Sequence, residues 1–62
     1  MYEKYARLRD KHGYTDYRVF KETGISTATL SEWKKGTYTP KIDKIMLIAK
    51  LFNVGIEYFL EE

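Results

Sequence analysis

The side chains best placed to do chemistry lie between Thr27 and Lys35. On a helical wheel Leu30 and Trp33 share one side. Ala28, Ser31, Glu32 and Lys35 face the other, with Thr27 exposed where the helix begins. Hydroxyl groups can bond either donors or acceptors on base edges, and an alanine methyl can touch the methyl of thymine. A carboxylate can accept from the N4 amine of cytosine. A face this small and polar fits the major groove of DNA without steric conflict. The same pattern also describes a helix hairpin with an ordinary solvated face, and spacing alone leaves both readings open.

The elements that must position this face are legible from their punctuation. A helical stretch opening on Asp16 runs into Thr23-Gly24-Ile25-Ser26 and then into the second helix, the arrangement in which a tight glycine turn sets two helices at a steep angle. Gly24 permits the reversal, Ile25 pins the turn into the core, and Ser26 caps the next helix. Gly13, Gly36 and Asn53 follow other helical stretches, where a left-handed C-terminal cap is needed. Thr15 caps the helix that begins at Asp16, whose charge suits the positive end of the dipole. Thr39 followed by Pro40 places proline at a first helical position, and Gly55 is a weaker cap before a short last helix.

These signals predict helices at roughly 2–12, 16–23, 27–35, 40–52 and 56–61, with no alternating strand pattern. The fold class is therefore all-α, in a single domain spanning residues 1–62. Tyr5, Leu8, Val19, Phe20, Ile25, Leu30 and Trp33 are the expected inward contacts. Ile45, Ile48, Ala49 and Phe52 form a stripe at helical spacing, and Val54 and Phe59 close the bottom. Met46 reads as packing or surface filler.

Composition narrows the function classes. A 62-residue chain hides only about 60% of the surface its unfolded form exposes. It has no cysteine and a single histidine, His12, so neither disulfides nor a cysteine or histidine metal site can staple it. An apolar fraction of 44%, a charged fraction of 32% and ten aromatics indicate a globular chain. No apolar run is long enough to span a bilayer and no signal-peptide pattern opens the chain, so a cytoplasmic location is expected. Glu57, Glu61 and Glu62 cluster at the tail without a base, nucleophile or cleft, and no enzyme, cofactor or small-molecule substrate is expected. The net charge of +2 is unevenly spread: residues 1–44 hold ten basic and six acidic side chains, whereas residues 45–62 hold one basic and three acidic. A basic body suits an anionic partner.

The ordered set Leu8–Thr15, Gly24–Gly36, Pro40, Ile48-Ala49, Phe52-Asn53-Val54 and Glu57–Leu60 resembles the Cro and phage-repressor helix-turn-helix family over nearly the whole chain. The resemblance implies a compact five-helix domain like that of lambda repressor, with the third helix in the major groove and two copies on a palindromic operator. Thr27, Ala28, Ser31 and Glu32 are then the expected base readers, with Thr29 on the flank or at a phosphate. Lys34, Lys35, Thr37, Tyr38 and Thr39 would grip phosphates where Gly36 lets the backbone approach. Tyr17 and Arg18 would hold the other strand. The family's dimer contact corresponds to Ile56, Glu57 and Tyr58. Leu47, Leu51, Ile56 and Tyr58 are apolar positions that the core stripe does not require, and they read equally as a partner surface or as a lid over the bottom of the domain.

Three positions depart from the family. Asp16 stands where glutamine is common, and as a carboxylate it is expected to serve its own helix rather than DNA. Phe20 stands where a small residue is usual, which implies a slightly different helix spacing. Lys34 replaces the glutamate that usually pairs with an arginine like Arg9, so Arg9 is expected to seek an anion or turn to Asp10 or another acid. The leading expectation is a DNA-binding repressor, either a complete small protein or the N-terminal domain of a longer one. An antitoxin-type regulator that also binds a partner protein, and a protein-interaction module without DNA, are the alternatives.

Overall fold

The computed structural model describes residues 1–61. Five helices succeed one another among them: α1 (Tyr2–Lys11), α2 (Asp16–Thr23), α3 (Thr27–Lys35), α4 (Ile42–Leu51) and α5 (Glu57–Leu60). Helix α2 packs against α3 and α4, and α1 packs against α5.

Most helix ends follow from local chemistry. The Thr15 hydroxyl accepts from the Arg18 amide at 3.1 Å, and the Ser26 hydroxyl accepts from the Thr29 amide at 3.1 Å. Each satisfies one of the amides that a helix start leaves without an internal partner. At the other ends the chain turns through the left-handed region at Gly13, Gly24, Gly36 and Asn53. Helix α1 closes by Tyr14 N–H to the Arg9 carbonyl and α4 by Val54 N–H to the Ala49 carbonyl, at 2.8 and 2.9 Å. Both are the six-residue closure expected around a left-handed residue.

Two expectations need correction. Helix α4 begins at Ile42 rather than at Pro40, and its N-cap Lys41 contributes no side-chain bond. Pro40 is instead buried in the extended run that joins α3 to α4, so its ring contributes to packing and Thr39 caps nothing. Phe20 is 37% exposed, not inward. Adjacent residues on a helix point about 100° apart. Val19, fully buried, takes the inward direction, and Phe20 lies beside Tyr17 with ring centroids 6.1 Å apart.

The core comprises Tyr5, Leu8, Val19, Ile25, Leu30, Trp33, Ile45, Ile48, Ala49, Phe52 and Phe59. Its centre is aromatic. Tyr5 stacks on Trp33 at 5.4 Å, Tyr2 meets the same indole edge-on at 5.5 Å, and Phe52 approaches Tyr5 at 6.5 Å. These contacts join α1, α3 and the end of α4, and each large buried side chain stabilises the fold by about 1.5–3 kcal/mol. No described buried side-chain nitrogen or oxygen lacks a hydrogen-bond partner.

Helix α5 is a single turn without a side-chain N-cap. Its position comes from elsewhere: Phe59 is buried, and the Lys4 ammonium donates to the Tyr58 carbonyl at 2.9 Å and to the Glu61 carbonyl. A cation is favoured at this negative end of a helix. Among the described residues, no helix is long and apolar enough to cross a membrane.

Candidate nucleic-acid interface

The α2–α3 pair is built around its turn. The Gly24 amide returns to the Phe20 carbonyl at 2.8 Å, and the Thr23 hydroxyl donates to the Val19 carbonyl while accepting from the Ile25 amide. Gly24 has φ +80°, and a β-carbon there would meet nothing within 4 Å. Backbone conformation, not crowding, is what calls for glycine. Ile25 is 3% exposed and fastens the turn to the core.

With the turn pinned and Leu30 and Trp33 buried, α3 presents its other side outward. Thr27, Ala28, Ser31 and Glu32 are all exposed, as is Lys35. Thr29 is different: it is half-buried, and its hydroxyl accepts from Ser26 at 2.9 Å. That hydroxyl is engaged in starting α3. Beyond the helix, Lys34, Gly36, Thr37, Tyr38 and Thr39 are exposed, and Gly36 turns the chain at φ +82°. The loop therefore begins directly after the exposed Lys34 and Lys35.

The start of α2 contributes a second set. Tyr17 is 62% exposed, and Arg18 is exposed with its guanidinium 4.4 Å above the Tyr14 ring. Arg18 also donates to Glu22 at 3.0 Å. First-turn amides of a helix carry partial positive charge and point outward, which suits an anion.

Asp16 would spoil that end if its charge were free. Its carboxylate instead accepts from the Tyr5 hydroxyl at 2.6 Å and from the Arg9 guanidinium at 3.0 Å, while Arg9 also reaches Asp10 at 3.0 Å. Arg9 thus turns to two acids, in place of the partner that Lys34 cannot be. Burial, reinforced by the bond to Asp16, pushes the Tyr5 hydroxyl above the usual phenol range. The hydrogen bond to Asp10 first, and then that to Asp16, raises the Arg9 guanidinium further. Both groups keep their protons, and Asp16 is held by two donors from α1. Of the two outcomes expected for Arg9, the structure shows the turn to Asp10 and another acid, while Tyr5 was not expected as a partner of Asp16. A fully buried tyrosine needs an acceptor for its hydroxyl, and that requirement was the available signal.

The expected dimer residues divide. Glu57 is exposed, whereas Ile56 and Tyr58 are half-buried and pack against the core. Leu51 joins them, while Leu47 and Leu60 remain 41% and 57% exposed. The Tyr58 ring stands edge-on to Phe59 at 5.3 Å, with Lys4 above it at 5.6 Å. Part of this set is thus a lid on the core.

The chain is similar in sequence to known proteins over most of its length. A helix-turn-helix family model matches residues 6–59. The chain is 30% identical over 64 residues to the uncharacterized HTH-type transcriptional regulator YgzD of Bacillus subtilis, covering 100% of this chain and 97% of that one. It is 32% identical over 57 residues to an uncharacterized HTH-type transcriptional regulator of Archaeoglobus fulgidus, covering 92% and 81%. Identity to YobD of Bacillus subtilis, also called an uncharacterized HTH-type transcriptional regulator, is 24% over 58 residues, and the chain spans only 52% of that protein's length. No solved structure matches at the same stringency. With its five helices, its glycine turn between α2 and α3 and a match over residues 6–59, the chain belongs to the Cro and repressor type of helix-turn-helix family.

Proposed function

We propose that the protein is a sequence-specific DNA-binding transcriptional regulator, a cytoplasmic repressor that binds a palindromic operator as a dimer. One observation carries this reading: the exposed small and hydrogen-bonding face of α3 is held rigidly between a capped start and a closed end. Thr27, Ala28, Ser31 and Glu32 read base edges in the major groove. Lys34, Lys35, Thr37, Tyr38 and Thr39 grip phosphates after α3, with Thr29 on the flank, and Tyr17 and Arg18 grip them at α2. Phosphate contacts set the register and base contacts set the sequence. Ile56, Glu57 and Tyr58 form the dimer contact, which spaces two α3 helices about 34 Å apart, one turn of DNA.

Selection from a random duplex pool tests this directly. The expected product is a twofold-symmetric site with half-sites about 10 base pairs apart. Absence of any enriched sequence would overturn the reading. Ile56→Glu and Tyr58→Glu should weaken binding to the selected site while the monomer stays folded. Unchanged affinity together with unchanged sedimentation would remove this dimer surface.

A further inference from the structure

The exposed face of α3 holds one feature that base reading alone does not explain. The Glu32 carboxylate is folded back toward the loop, where one oxygen accepts from the Thr37 hydroxyl and the other lies 3.9 Å from the Lys35 ammonium. The Glu32 carbonyl accepts from the Thr37 amide at 3.1 Å and lies 3.2 Å from the Thr37 hydroxyl, whose single proton it shares with the carboxylate. Both groups that the carboxylate engages are among those assigned to phosphates.

We propose that Glu32 is a specificity-determining residue, a carboxylate latch that discriminates against DNA lacking a hydrogen-bond donor at its position. The proposal rests on the DNA-binding reading above. When duplex DNA approaches, phosphates must draw Lys35 and Thr37 away from the carboxylate. Glu32 is then left beside the groove, a charge stripped of both its partners and part of its water. If a donor such as the cytosine N4 amine stands opposite, the carboxylate is satisfied again. If none does, an unpaired anion faces the negative potential of DNA, which is costly. The same carboxylate thus weakens binding to the many wrong sequences more than to the right one. Discrimination built from a repulsive element of this kind adds to whatever the attractive contacts supply.

The separating experiment compares wild type, Glu32→Gln and Glu22→Gln by fluorescence anisotropy on a random-sequence duplex and on the selected duplex, across a salt series. Glu32→Gln removes the charge and keeps an acceptor for Thr37, so the fold is retained. Glu22→Gln removes a charge paired with Arg18 at 3.0 Å, away from α3. For Glu32→Gln, affinity for random duplex should rise about five-fold, the effect of one unit charge at contact distance in water-like dielectric. Its log–log salt slope should match that of wild type, because Lys35 reaches phosphate in both complexes. The ratio of selected to random affinity should fall by at least the same five-fold. For Glu22→Gln both affinities should rise together and leave the ratio unchanged. An equal rise on both duplexes for Glu32→Gln, or a loss on both, overturns the latch. Wild-type protein without salt-dependent binding to either duplex overturns the DNA-binding reading itself, a failure distinct from the first.

Discussion

Helices α3 and α5 stand at opposite ends of a scale of self-sufficiency. Helix α3 has nine residues, a serine cap, a closed C-terminal turn and two core anchors, Leu30 and Trp33. Helix α5 has four residues and no side-chain N-cap, and it relies on buried Phe59 and on Lys4 from the far end of the chain. The helix expected to read bases is fixed by its own ends and by the aromatic cluster. The helix expected to meet a partner is placed by others. A reading surface needs a rigid geometry, because a displacement of an ångström loses directional hydrogen bonds. A surface that mates with a second copy can complete its order at the contact.

Substitutions can break or sharpen that contrast. The largest effect is expected for Trp33→Ala, which removes the indole that Tyr2 and Tyr5 both touch. A loss of about 3–5 kcal/mol in urea unfolding is expected, enough to unfold a domain of this size. Next comes the double change Thr27→Ala with Lys35→Ala. It alters only exposed groups on α3. Binding to the selected duplex should fall about 100-fold or more, with the unfolding midpoint unchanged. A double variant that still binds the duplex as wild type does would show that Thr27 and Lys35 do not carry the reading. Ser26→Ala removes the α3 cap and should cost about 1 kcal/mol in the same urea assay. Smallest is Lys4→Met, which keeps an apolar stem but loses the bonds to the α5 carbonyls. A loss of about 0.5–1 kcal/mol is expected, since the group is partly solvated. Faster amide exchange should be confined to the Phe59 and Glu61 amides, with α3 protection unchanged.

The parts of the fold that depend on neighbours in sequence were legible from it. Thr15 and Ser26 cap because their hydroxyls reach an amide three residues on, and Asn53 takes the left-handed turn for the same local reasons as the glycines. The outward stripe Thr27, Ala28, Ser31 and Glu32 follows from helical spacing alone. What escaped depends on contacts between distant segments. Pro40 carries a helix-start signal, yet burying its ring outweighs adding two residues to α4. Val19 and Phe20 are adjacent, and only the packed arrangement decides which of them faces inward. The Arg9–Asp16–Tyr5 network joins α1 to α2. The Glu32–Lys35 pair is local helical spacing, and only the Thr37 bond requires knowing how the chain leaves α3.

The central claim is that α3 reads bases with its exposed face. Its most direct test repeats the random-pool selection with Ser31→Ala beside the wild type. Ser31 is exposed at the middle of that face, so the truncation perturbs neither core nor cap. Base preference should relax at one position in each half-site, symmetrically, while the other positions persist and the salt slope stays near about −5 for roughly six neutralised phosphates per dimer. Identical base preferences for the two proteins, or a uniform weakening across every position, would contradict it.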